Sequence, residues 1–423
     1  MSTAVYKRAI RMPGSFPRFA EGNVEIELCQ GEGTFLLHGH ILALHSSWFE
    51  ASPSERWSGA PTGDFVEGGK HHCAYQLRFD KGTAFGMLLP TNAITEDTEP
   101  YDGKSVYHVS EDDAANLVYL QRRMVAEGHK NMLKLMYHVP VTCDYGSPGA
   151  GPLIKKYVKD SDAFLRALHE VGRAYGCEHI VLRQIHETLA LDCTTVLDDC
   201  LRKPAKMLEV ATTYQSGWIF KEAGAHLIGR SDAAWEKAQD QPHHLGIREL
   251  FDEKRKKFKL TLNQVDVDLL TSVDVDMKSH KSVDQRIAEM ELAYAFFRKW
   301  LSDCIHKDAR QGSRLGSGYA EVYHRIDQGR QLEETPHAVK SYLLNLYGDI
   351  PGYTPSTATL AELEKKVAFV FTHAKGKISY ILEAKTAAEY KGKVLHRALT
   401  FVEIEDKELP WLEASDDDSV MEE

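Results

Sequence analysis

The stretch FLLHGHILALHSSWFEA, residues 35–51, decides how the first part of the chain is read. Phe35 to Leu37 close a strand, and an apolar pattern of helical period begins after Gly39. His38, His40 and His45 fall within eight positions, which raises the question of a metal. Zinc needs three or four converging ligands, and a helix offers paired histidines at i,i+4. Here the spacings are two and five, and Gly39 separates strand from helix between the first two. Local capping or core hydrogen bonding is therefore the expected role, and no metal ligand is assigned. Ile41, Leu44 and Trp48 are expected on one helical face, with Leu42 and Phe49 beside it, until Pro53 breaks the pattern.

Outward from this stretch the periodicities alternate. GNVEIELCQ (22–30) sets Val24, Ile26 and Leu28 against Asn23, Glu25 and Glu27, the two-residue period of a half-buried strand. Gly31-Glu32-Gly33 predicts a turn and Thr34–Leu37 the second strand of a hairpin. AYQLRFD (74–80) predicts a third strand through Tyr75, Leu77 and Phe79. Pro90 to Lys104 reads as an exposed loop, and NMLKLMYHVPV (131–141) as a helix stopped at Pro140. Residues 162–189 predict two helices separated at Tyr175-Gly176-Cys177. From about 191 to 345 the pattern is helical, with stripes at 204–228, 247–260 and 283–306; another helix is predicted over 360–382.

Composition excludes several classes. The 423 residues are 43% hydrophobic and 27% charged, as in ordinary globular proteins, and no apolar run is long enough for a membrane span. The N-terminus does not read as a secretory signal, and the seven dispersed cysteines fit reduced thiols, so an intracellular location, cytoplasmic or nuclear, is expected. Of the net charge of −11, residues 403–423 carry ten acids and one lysine, or −9, which leaves −2 for the remainder. Nucleic acid is not expected as a direct partner, since that would need excess positive charge.

The chemical motifs are sparse. His71-His72 and His243-His244 read as loop histidines. VDVD at 265–268 and again at 273–276 lacks the glycine and distal glutamate of a calcium loop. GSPGAGPL (146–153) has Pro152-Leu153 where a phosphate loop requires Lys and Ser or Thr, and GSGYA (316–320) is not a nucleophile elbow. No catalytic residue, metal or cofactor is assigned, and a metal-dependent or hydrolytic enzyme finds no supporting spacing. Lys254, Arg255, Lys256 and Lys257 form the strongest basic run, read either as a nuclear-import signal or as a solvated helix face.

The order strand, strand, helix, helix, strand, then helices resembles the BTB/POZ domain. Phe35, His38, Leu42, Ala43, Ser46 and Phe49 stand where that family has F-x-x-H-x-x-x-L-A-x-x-S-x-x-F, and Tyr175 falls in a stretch similar to its later helix pair. Segments 207–229 and 399–411 resemble recurrent segments of a fungal type of BTB protein with a long helical C-terminal half. The resemblance implies an α+β fold: a BTB/POZ domain with a small mixed sheet flanked by helical hairpins, followed by a mostly α-helical C-terminal region. Its implied organisation is a flexible segment at 1–19, the BTB/POZ domain at 20–190 with an insertion around 80–129, and a helical domain at 191–345. A C-terminal helical region at 346–402 and an acidic, disordered tail at 403–423 complete it, with Pro410-Trp411-Leu412 as a candidate anchor.

The function implied is protein–protein interaction without catalysis. The partners would be other proteins: a second copy through the BTB domain, or a cullin for which the chain is a ubiquitin-ligase substrate adaptor. The alternative is a nuclear regulatory scaffold with no ligase role. His38 is expected to close the strand-to-helix turn and Ser46 to start the next helix as its N-cap. Asn23 and Gly39 depart from the charged pair of many transcription-factor members, so their co-repressor pocket is not expected. The acidic feature that helps cullin binding is not evident near Tyr137–Cys143, and residues 1–19 are weakly patterned for a swapped N-terminal strand.

Overall fold

The computed structural model describes residues 18–19, 21–29, 32–52, 73–101, 113–139, 141, 161–230, 235, 245–271, 283–310, 318–328, 331–347, 356–383 and 399–412. The histidine pairs at 71–72 and 243–244, the second VDVD, the loop at 146–153, Gly316-Ser317, residues 1–17 and residues 413–423 lie outside these. The fold is α+β, a small mixed sheet near the N-terminus with helices after it. The chain divides into two units, Met1–Asp192 and Cys193–Glu423.

The first unit is built on the alternation seen in sequence. Strand β1 (Val24–Cys29) buries Val24, Ile26 and Leu28, and β2 (Glu32–Leu37) pairs with it antiparallel, Ile26 opposite Phe35. Strand β3 (Cys73–Asp80) runs parallel to β1, Ile26 beside Tyr75, and buries Tyr75, Leu77 and Phe79. Parallel pairing demands a long crossover, and helices α1 (Gly39–His45) and α2 (Ser47–Ala51) lie within it. Strand β4 (Gly86–Pro90) pairs antiparallel with β3, giving the order β2-β1-β3-β4, while the short β5 (Thr98–Pro100) pairs with the far end of β3.

Three expectations for this unit are corrected. Ile41, Leu44 and Trp48 do not share a face: Leu44 is 77% exposed and Leu42 fully buried. The helical phase restarts at Ser46, so a spacing read across it has no meaning. Residues Pro90 to Lys104 contain strand β5 and not only loop. The helix expected to begin near 131 is the end of α3 (Asp113–Met136). Its earlier turns, LVYLQRRMVAEGHK, mix charge with apolar residues and include Gly128, which conceals the helical period. It ends with His138 in the left-handed region (φ 56°) and Val139 N–H bonded to the Lys134 carbonyl. Helices α4 (Ser161–Ala174) and α5 (Glu178–Leu191) follow and are separated at Tyr175–Cys177.

Among the described residues the regular structure of the second unit is mainly helical: α6 (Cys193–Arg202), α7 (Pro204–Thr213), α8 (Gly217–Ile228), α9 (Leu245–Thr271), α10 (Val283–Arg310), α11 (Gly318–Gln328), α12 (Gln331–Tyr347) and α13 (Thr357–Leu382). Helix α13 is its organiser. Ser356 caps its N-terminus by accepting from Thr359 N–H at 3.1 Å. Its stripe Leu363, Val367, Val370, Phe371, Ala374, Ile378 and Ile381 is buried, and it packs against α9, α10, α11 and α12. The helices read in 191–345 and the helix read over 360–382 thus fall in one compact unit. The first VDVD lies within α9, where Asp266 accepts from the Tyr323 hydroxyl at 2.5 Å. Residues 403–412 are not a loose tail, because Ile404 and Leu409 are buried.

No helix among the described residues is long and apolar enough to cross a membrane.

Candidate interaction site

The residues that decided the sequence reading converge in the first unit around Tyr175. Ser46 Oγ is the N-cap of α2, accepting from Phe49 N–H at 3.2 Å, and it donates to the Tyr175 carbonyl at 2.5 Å. Phe49 lies under the Tyr175 ring at 5.8 Å and meets Tyr75 edge-on, while Trp48 closes on Tyr175 at 5.0 Å. Leu42, Phe35 and Phe49 are buried, and Ala43 is half-buried.

The phenol of Tyr175 carries a polar chain through this core. Leu88 N–H donates to it at 2.7 Å from the outer edge of β4, so the phenol proton is directed to His129 Nε2 at 3.1 Å. His129 Nδ1 must then hold the imidazole proton and donate to the Val125 carbonyl at 2.8 Å. Both ring nitrogens are satisfied only in the neutral ring, and burial lowers the His129 pKa to about 4. Burial likewise raises the Tyr175 phenol and pushes the Cys177 thiol up to about 12. None of these groups is poised to accept or supply a proton near neutrality.

The turn that carries Tyr175 depends on Gly176. Its φ is +63°, and a methyl group there would force the Ser47 hydroxyl to turn away and would crowd Ser47 Cβ. Only glycine combines that conformation with so close an approach of α2.

At the strand-to-helix junction His38 acts through its backbone. It occupies the N-cap position of α1 without a side-chain capping bond. Its N–H donates to the Tyr137 hydroxyl at 2.7 Å, and Gly39 N–H donates to Asn23 Oδ1 at 2.7 Å. Asn23 thus joins His38 at this turn, where the His38 carbonyl accepts from Ile41 N–H and Leu42 N–H and its Nδ1 meets the Tyr137 hydroxyl at 3.4 Å. His45 parts from the other two histidines of the opening stretch: His38 packs on Phe19 at 4.6 Å and meets the exposed His40 edge-on at 5.5 Å, whereas His45 meets His138 edge-on at 5.9 Å. Partial burial lowers the His45 pKa, with His138 and His179 adding repulsion. Among the described residues no group of three or more His, Cys, Asp or Glu is arranged to hold a metal ion.

Beside the Tyr175 chain a groove of about 610 Å³ opens between β4 and helices α3 and α4. Met87, Met124, Val125, Ala167 and Val171 line it, and it reaches the buried Tyr175 and His129. Phe85 stands on its wall, 64% exposed. Arg122 fixes that wall, donating to the Thr83 and Asp80 carbonyls and to Glu99, whose carboxyl it holds below its usual range. No sequence signal marked this groove, since β4 and the start of α3 were not read as elements.

The basic run lies in the second unit and is not a free cluster. Arg255 is buried, donates to the Ile228 carbonyl and covers the Trp235 and Phe258 rings. Lys254 pairs with Glu408 at 2.6 Å; only Lys256 and Lys257 are exposed. Comparison of the chain with known proteins finds no matching family model, no matching curated protein and no matching solved structure.

Proposed function

We propose that the chain is a protein–protein interaction adaptor or scaffold: a BTB/POZ-type module followed by a helical unit. A substrate adaptor for a cullin ubiquitin ligase is its most concrete form. The observation that carries this reading is the use made of the polar groups around Tyr175. Ser46, Tyr175 and His129 are bonded to one another or to backbone and offer no reactive atom. The adjoining surface instead presents an apolar groove with an exposed phenylalanine. Such a patch, rimmed by polar residues, suits a protein ligand, and methionines let its walls adapt. The nuclear-scaffold alternative loses support, because two of its four basic residues are committed to the fold.

The test is recovery of partners from cell extract by the full chain and by Phe85→Asp. The expected result is a partner set that includes a cullin and is lost with Phe85→Asp. Recovery of other proteins in a Phe85-dependent way, without a cullin, ends the ligase form and keeps the adaptor. Folded chain whose partners ignore Phe85 removes the groove from the reading.

A further inference from the structure

The second unit contains a segment that covers helices without forming one. Residues 399–405 form no helix or strand, with Glu405 extended; Asp406–Glu408 make one turn of 3-10 helix, and Leu409 to Leu412 follow. Val402 and Ile404 are buried while Glu403 and Glu405 between and after them are exposed; Leu399 and Leu409 anchor the two ends. Leu399 and Thr400 are both buried, and from Val402 to Glu405 the side chains alternate inward and outward, with the acids on the outward side.

The surface beneath is shaped to receive it. A methyl group on Gly224 of α8 would overlap Ile404 Cδ1, and one on Gly229 would overlap the Leu399 carbonyl. Phe401 stacks on Phe258 of α9 at 5.1 Å, and Trp411 meets Phe220 of α8 edge-on at 5.6 Å. Charge matches as well as shape. Lys254 pairs with Glu408 at 2.6 Å and donates to the Glu403 carbonyl at 3.0 Å, while Lys221 pairs with Asp406 at 2.9 Å. Asp406 is 85% exposed, so its pair is open to screening.

We propose that this face of α8 and α9 is a docking site for an acidic, extended peptide, held closed in cis by residues 399–412. The bound segment displays the ligand chemistry: alternate aliphatic residues for the seat over Gly224, then an acidic turn for Lys221 and Lys254. The exposed Lys257 adds positive charge that is felt at Glu405 of the segment. A competitor with the same pattern needs only to displace a short segment, and the acidic outward edge lets salt tune the exchange.

The test uses the full chain, a fluorescently labelled synthetic peptide of residues 399–412, and hydrogen exchange over the same residues. Asp406→Lys with Glu408→Lys sets like charges against Lys221 and Lys254 and leaves every buried side chain of the segment in place. Amides of 399–412 should then exchange faster, and the labelled peptide should bind roughly ten-fold more tightly than to the unaltered chain. A scrambled peptide should not bind, and adding Lys254→Glu should remove the gain. The proposal is overturned by faster exchange without peptide binding, by equal binding of the scrambled peptide, or by a gain that survives Lys254→Glu. Unchanged exchange in the charge-reversed chain overturns it too, since the segment is then a fixed part of the core.

Discussion

The turn at Tyr175-Gly176-Cys177 in the first unit and the turn at Tyr214-Gln215-Ser216 in the second share one backbone design. Each begins with a buried tyrosine at a helix end, and each passes through a left-handed residue, with φ +63° at Gly176 and +53° at Gln215. Each closes with an N–H reaching back five residues: Cys177 to the Gly172 carbonyl at 2.9 Å, Ser216 to the Ala211 carbonyl at 2.8 Å. The difference lies in what stands beside the turn. Gln215 is exposed, whereas the space beside Gly176 is taken by Ser47 Oγ. At Gly176 the neighbour adds to the backbone angle: a side chain there would meet positive φ and would also have to displace the Ser47 hydroxyl, a demand that the Gln215 turn does not make.

Substitution at the two left-handed positions gives the sharpest contrast. Gly176→Ala combines strain at positive φ with overlap against α2, and should cost about 3 kcal/mol in urea denaturation. Gln215→Gly should change stability by less than about 1 kcal/mol. Equal effects would mean that the docking of α2 contributes nothing. Tyr175→Phe should cost about 2 kcal/mol, because Leu88 N–H and His129 Nε2 are then buried without their partner. Faster amide exchange at Leu88 would locate the damage.

Acid should act through the same chain. The His129 pKa falls to about 4 in the folded state from 6.5 in the unfolded chain. The unfolded chain therefore binds the proton first as pH drops. The contribution is complete above pH 6.5 and is lost as pH falls toward 4, amounting to about 2 kcal/mol between pH 7 and pH 5. His129→Gln should flatten that part of the stability–pH profile; an unchanged slope would show that another group titrates. The smallest effect belongs to the second unit. Lys254→Met should cost about 1 kcal/mol or less, and the cost should shrink in high salt.

Much of the first unit was legible because its strands have one wet face: the alternation of β1 and β3 fixes which residues turn inward. Helix α3 was half hidden for the opposite reason. Its buried stretch contains His129, Asn131 and Lys134, and a polar residue on a buried face breaks the apolar period. Arg255 was misread through composition, although position marked it. It lies four residues after Phe251 and three before Phe258, both buried, and so belongs to the inner stripe of α9. The groove and the Tyr175 chain join β4, α3 and α4 over long sequence separations, which no local period encodes. Residues 403–412 were taken for tail because they open the stretch 403–423 with its ten acids, although Val402 and Ile404 alternate with Glu403 and Glu405.

The place of α13 has a consequence for how the protein is made. Helices α9 to α12 all turn their apolar faces toward a helix that spans Thr357–Leu382, so most of unit two must leave the ribosome before its core can close. The first unit can close once residue 192 has emerged. During synthesis the cell therefore holds a finished module trailing helices α9 to α12 that still lack their contact with α13, the stage at which chaperones have most to bind.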